Sequence, residues 1–343
     1  MKQLFLYFIL LAALSQTAQA TKWRVNNRVG INANFTTISA AVNAASSGDT
    51  IYIEPSPTNY TGAINIDKKL TIIGNGYFNS SPNTMNSGLQ ADSNSCSIYA
   101  YIYFNQGSAG TTIMGVSLYG GYAMYVYSDS ITIQRNFIYG YIYLSNYNTT
   151  SGTYGNRISS NIKQNIFYAY GISNQSFSTT GGLTMSNINI QNNIFNSCSV
   201  NLPSGMSGFM QNNMFHSANT STYNFQVNNN IMHGGSFDIN NNVYFNNIGT
   251  STQFGTLNNN QQNITTTALF NNFSATTETR YTLKNPGPGI GAGFNSVDVG
   301  VFGGPDPYKL SGIPPVPTIY AISAPVTTTT STLPVTISTK SND

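Results

Sequence analysis

Short runs in which apolar and polar residues alternate recur along most of this chain, and they predict strands rather than long helices. Ile51 and Ile53, Ile64 and Ile66, then Leu70 and Ile72 alternate with polar neighbours, the period-two pattern of a strand with one buried face. Pro55, Pro57, Gly62 and the run Asp67-Lys68-Lys69 separate them, so three strands and three turns read as one triangular coil. One stretch has a different period. Ile38, Ala41, Val42 and Ala45 fall on one helical face, with Thr36 or Thr37 placed to cap the start and Gly48 to end it.

Beyond this point the chain repeats itself. An apolar residue, two mostly polar residues, an Asn and one or two apolar residues recur around Asn136, Asn165, Asn193, Asn213, Asn230 and Asn242. These asparagines are 29, 28, 20, 17 and 12 residues apart, and a looser copy, Ile113-Met114-Gly115-Val116, precedes them. A fixed motif with variable spacing is what a solenoid requires: one wall keeps its geometry while loops at the other corners grow. Asn suits a corner because it tolerates left-handed backbone angles, and stacked amides bond into a ladder. The last spacing is short for a full coil, so regular winding is expected to break down near Asn242. The reading is an all-β fold: a right-handed, single-stranded parallel β-helix with three short strands per coil, a short N-terminal capping helix and an extended C-terminal tail. Residues 21–305 form the helix. Residues 306–343, rich in Pro and Thr, form a tail or an edge hairpin pairing Ile319 to Ala324 with Leu333 to Ser338.

Composition supports this. Charged residues are only 7% and aromatics 13%, against about 25% charged in an average soluble domain; a disordered chain has the reverse bias. Lys2, the apolar run Leu4 to Leu14 and the small-x-small site Ala18-Gln19-Ala20 form a secretory signal over residues 1–20, too short to span a bilayer. Export to the cell surface or medium is therefore expected, with no transmembrane segment in the mature chain. Without Lys2 the balance is 12 basic against 10 acidic residues, a net +2 with no basic patch, which argues against nucleic acid. Cys96 and Cys198 sit in matching pentamers and are expected to be small buried residues on one wall of different coils.

The opening segment Phe35 to Val42 with Ala45 to Ile51, the Asn-centred coils, and the closing run Asp298-Val299-Gly300-Val301-Phe302 resemble the pectin-lyase-like right-handed β-helices, in particular secreted bacterial members of unassigned function. The resemblance covers roughly residues 21–305 and implies the fold. Many relatives of that kind cut acidic polysaccharides, but the residues for it are sparse here. Between residues 93 and 277 the only acids are Asp129 and Asp238, and one carboxylate cannot supply both halves of acid–base work. Asp49 and Asp298 read as corner ties. Arg135 and Lys163 read as stems over apolar surface, with Arg157 in a Gly-rich corner. His216 and His233 are 17 residues apart, as Asn213 and Asn230 are, and so are expected to stack one coil apart; two imidazoles without further ligands make no zinc site. No catalytic set, metal site or cofactor site is assigned.

The sharper signal is aromatic. Tyr101 and Tyr103, Tyr125 and Tyr127, Tyr141 and Tyr143, and Tyr168 and Tyr170 alternate with small or aliphatic residues. If the aliphatic residues point inward, these tyrosines point out, and their spacing from the motif predicts one exposed ladder on a neighbouring wall. Such a row either stiffens the sheet or binds a polysaccharide or cell-surface glycan through apolar ring surface and phenolic hydroxyls. Adhesion or glycan contact is therefore the preferred reading. A lyase or hydrolase with an unfamiliar site and a structural spacer are the alternatives.

Overall fold

The computed structural model describes residues 20–79, 88–145, 147–148, 153–154, 157–175, 184–238, 240–275, 278–327 and 331–342. The apolar run of the expected export signal lies outside them. Three all-parallel sheets wind as a right-handed β-helix. Wall A begins with Lys22–Val25 and Thr50–Ile53 and carries the repeated motif strands, from Ile131–Gln134 to Val243–Phe245. Wall B follows the Asn corner, from Tyr60–Thr61 to Ile248–Gly249. Wall C closes each turn, from Ile64–Ile66 to Phe237–Asp238. The first coil differs from expectation in one element. Its second wall is the two-residue strand Tyr60–Thr61, and Thr71–Ile73 already belongs to the next turn of wall A. A strand that short has no period to read.

The N-terminal helix Ile38–Ala44 covers the open end, with Ile38, Ala41 and Val42 buried. Thr37 caps it, accepting from Ala40 N at 3.2 Å. The helix stops at Ala44, and Gly48, at φ 97°, makes the turn into wall A. Asp49 ties this end together, accepting from Thr21 N, Trp23 Nε1 and Ser46 N at 2.7–2.9 Å.

The asparagine ladder is real and longer than the motif suggests. It runs Asn136, Asn165, Asn193, Asn213, Asn230, Asn247 and Asn260, each amide donating to the next at 2.9–3.1 Å. Each also bonds main chain of adjoining coils, as Asn165 Nδ2 does to Ile133 O at 2.8 Å. Asn242 is not a member. It sits at the corner between walls C and A, accepting from Phe225 N at 2.9 Å. The true step after Asn230 is 17 residues, and winding continues to Ile248–Gly249.

The residue before each of the first six ladder asparagines lies in the left-handed region: Arg135, Gln164, Asn192, Asn212, Asn229 and Asn246 have φ 52–59°. Their side chains form a second, outer row that clasps a strap running back along the corner. Asn246 bonds Ala292 O, Asn192 bonds Val301 O and Gly303 O, Gln164 bonds Asp306 Oδ1 and Pro307 O, and Arg135 bonds Ile313 O, all at 2.6–2.9 Å. Lys163 pairs with Asp306. Arg135 is thus buried rather than laid over the surface, with desolvation lowering its pKa. Arg157 opens the strand Arg157–Lys163 rather than a corner.

The strap explains the paired apolar residues after the motif Asn. Phe167, Phe195 and Phe215 point inward and stack at 4.8 and 5.0 Å. Their neighbours Ile166, Ile194 and Met214 point out and are buried under Leu269, Phe270, Tyr281, Val299, Val301 and Tyr308. From Phe137 to Ile248 wall B is therefore buried on both faces. Glu278, itself buried, anchors the covering segment by accepting from Tyr308 Oη and from Ser311 N at 3.0 Å, and Tyr308 bonds Tyr77 Oη. Docking extends past residue 305; beyond it, Thr318–Ser323 and Thr336–Lys340 pair as an antiparallel hairpin.

Candidate glycan-contacting wall

With wall B covered, walls A and C present outward side chains. On wall C the register aligns one outward residue per coil: Asn65, Tyr103, Tyr125, Tyr143, Ser173, Asn201, Ser221 and Asp238. At roughly 4.8 Å per rung the row spans about 34 Å. The inward partners Ile102, Met124, Ile142, Ile172 and Val200 fill the core, which fixes the alternation and turns the row out.

Three of the sequence-predicted tyrosines form the ladder proper. Tyr103 and Tyr125 stack with centroids 5.0 Å apart and planes 9° apart; Tyr125 and Tyr143 stack at 5.3 Å and 23°. The faces of these rings are turned on one another, so the ladder offers phenol edges and hydroxyls to a ligand. Burial, then the neighbouring phenols, raises the pKa of Tyr125 and Tyr143, so each hydroxyl keeps its proton and can donate as well as accept. Tyr101, Tyr141 and Tyr170 sit at the corner between walls B and C; Tyr101 tilts against Tyr103 and Tyr125, Tyr141 stacks on Tyr143, and Tyr170 reaches the ladder through Tyr141. Tyr101 meets Tyr122 edge-on at 5.0 Å, and Tyr141 meets Tyr143 at 4.9 Å and Tyr170 at 5.1 Å. Tyr101 is 41% exposed and Tyr139 38%; Tyr122 and Tyr139 were not singled out in the sequence because their neighbours are Gly rather than an alternating strand.

Two predicted members fall elsewhere. Tyr127 lies one residue past its strand, is 5% exposed and donates to Gln175 Oε1 at 2.7 Å; burial pushes its pKa up to about 12. Tyr168 belongs to wall B, where Ile166–Tyr168 packs toward the strap and its ring meets Phe137 at 5.6 Å. Spacing from the motif varies with loop length, so it could not tell wall B from wall C.

The far end of wall C holds a shallow groove of about 490 Å³ whose rim includes Asn201, Asn219, Ser221, Ser236 and Asp238. Ser221 Oγ donates to Asp238 Oδ2 at 3.2 Å, and Ser236 Oγ donates to Asn219 Oδ1 at 3.0 Å. Asp238 is the one charge on the outward row. Asp129 follows the wall C strand Met124–Val126, five rungs or roughly 24 Å from Asp238 along the stack. Among the described residues no three His, Cys, Asp or Glu side chains come together to hold a metal ion.

His216 and His233 are adjacent in register on wall B, centroids 5.1 Å apart. Phe273 stacks on His216, Tyr281 Oη lies 2.9 Å from its Nδ1, and Arg280 covers Phe273. Burial first, then His233 and Arg280, lowers the His216 pKa to about 4. Cys96 and Cys198 are both buried and free, but they precede strands of different walls, B and C; matching pentamers did not mean matching positions. Asp298 is a corner tie, accepting from Gly291 N at 2.8 Å.

Comparison with family models, with curated proteins and with solved structures returned no match to this chain. Among the described residues no helix is long and apolar enough to cross a membrane.

Proposed function

We propose that this chain is exported and works by contact, holding a polysaccharide or cell-surface glycan along wall C. The observation that carries this is the outward row from Asn65 to Ser221, in register over seven coils and made only of phenol, amide and hydroxyl groups. Such groups match the hydroxyls of a sugar chain, which needs many modest hydrogen bonds and apolar edges rather than one strong charge. The absence of basic residues on the row favours an uncharged chain over an acidic one. A glycan array over the mature protein tests the reading. Retention of neutral glycans supports it, and an array with no retained glycan, or only polyanions, overturns it.

One observation favours a second reading, a hydrolase or lyase. Glu54 and Asp92, 38 residues apart in sequence, line one crevice beneath the C-terminal segment at the N-terminal end. Each carboxylate pairs with an arginine, Glu54 with Arg24 and Asp92 with Arg28 at 3.5 Å, an arrangement that also serves as a structural tie. New reducing ends or unsaturated products that vanish in Glu54→Gln would establish this reading instead.

A further inference from the structure

Wall A departs from minimal winding over three consecutive coils, the third carrying the six-residue strand Met206–Gln211. Its strands Arg157–Lys163 and Met185–Gln191 run seven residues, against three or four in Thr71–Ile73, Thr112–Met114 and Ile131–Gln134. Ser159 and Asn187 lie in the left-handed region within these strands, at φ 72° and 55°. The register against Met206–Gln211 shifts between Met185 and Ile188. A bulge of this kind re-aims side chains and is a common device beside binding sites. Gly208 lets the strands close up here, since a Cβ on it would collide with the Ile188 carbonyl.

The kink frames a shallow groove of about 470 Å³, lined by Phe209 together with Asn161, Asn187, Asn189, Gln191 and Gln211. Among the described residues no charged side chain lines it. Asn189 Nδ2 donates to Gln191 Oε1 at 3.2 Å and reaches Asn161 Oδ1 at 3.5 Å, aligning amides across two rungs. Amides so held still have donors and acceptors to spare. Phe209, in register with Asn189, is 37% exposed. Among the described residues no aromatic ring stacks on it, in contrast to the rings of the wall C ladder.

We propose that this groove is a second carbohydrate site, taking one uncharged sugar ring against Phe209 with its hydroxyls bonded by the surrounding amides. An ionic sugar would find no counter-charge there to offset its lost hydration. The site faces a different direction from wall C, so one molecule can hold two glycan segments at once, which raises avidity without new contacts. The inference stands on the wall A groove alone and does not require the wall C reading.

Titration of the full chain with cellohexaose, chitohexaose and, as an acidic control, hexagalacturonate tests it, using a Tyr125→Ser/Tyr143→Ser background that removes two wall C rungs. At least one neutral hexamer should bind this background, with saturation transfer from Phe209 ring protons. Phe209→Ala should weaken that binding tenfold or more, and Phe209→Trp should retain it. An Asn189→Ala/Gln211→Ala variant, which keeps the ring, should weaken it as well. No neutral binding in the background, preference for hexagalacturonate, or equal binding by Phe209→Ala at an unchanged far-UV spectrum would overturn the proposal.

Discussion

At the scale of single residues, the ladder asparagines do what their sequence recurrence implies, because a buried amide must satisfy every donor and acceptor it brings. Asn165 accepts from Asn136 N and donates to Ile133 O and Asn193 Oδ1 at 2.8–3.0 Å. Asn165→Ala therefore strands Asn136 N and removes the amide bonds to Ile133 O and Asn193 Oδ1, the last of which still accepts from the main-chain N–H of residue 165. At about 1–3 kcal/mol for each stranded group, a loss of about 2–4 kcal/mol is expected in denaturant unfolding. Thr132→Ala, on the outer face of the same wall, should cost under about 0.5 kcal/mol. His216 gives a pH-dependent counterpart. Its pKa falls from 6.5 to about 4 on folding, so the unfolded chain takes up the proton first. The resulting stability is full above pH 6.5 and drains away as pH falls toward 4. The melting temperature of His216→Phe should fall less across that window than that of the wild type; parallel curves would refute the assignment. The ladder was legible because its asparagines share one local backbone task. Asn242 misled because Asn also serves other corners, and Asn247, the true successor, is preceded by Tyr244-Phe245-Asn246, which breaks the pattern.

At the scale of elements, alternation revealed most strands but not what covers them. The pairs Ile166-Phe167, Ile194-Phe195 and Met214-Phe215 signal a wall buried on both faces, yet nothing local says that the cover comes from residues 264–313. That partnership is long-range and rests on main-chain carbonyls, which any sequence possesses. The structure makes the strap part of the core. Truncation after residue 290 should therefore expose Ile194, Met214 and Ile231 and yield aggregation or raised dye binding, whereas removal of the hairpin residues 318–343 should leave the melting temperature within a few degrees. Equal stability of the first truncation would contradict the role given to the outer row Arg135, Gln164 and Asn192. Coil-to-coil closeness sets a further limit. Gly140 packs so tightly on the Tyr122 carbonyl that a Cβ has no room, so Gly140→Ala should destabilise the very coils that carry Tyr125 and Tyr143.

At the scale of the whole molecule, a solenoid turns local choices into rows, and function follows from which rows stay open. Wall B is spent on the strap. Wall C carries a phenol, amide and hydroxyl row ending in Asp238, and wall A carries an amide groove around Phe209. The sequence pointed to tyrosines but not to their company: Ser173, Asn201 and Ser221 do not stand out along the chain and join the row beyond Tyr143 only through register. Loop lengths that vary from coil to coil hid that register, and the same variation sent Tyr168 to wall B. The stacking of Tyr103, Tyr125 and Tyr143 ties successive rungs of the sheet together. Loss of two rungs is expected to cost about 0.5–1.5 kcal/mol each, small enough to leave the fold intact for a binding assay. The decisive measurement is the retention of the mature protein on immobilised neutral polysaccharides, wild type beside Tyr125→Ser/Tyr143→Ser, with unfolding curves recorded in parallel. Wall C as the contact surface predicts at least a tenfold loss of retention with the unfolding transition preserved; equal retention by the two proteins would contradict it.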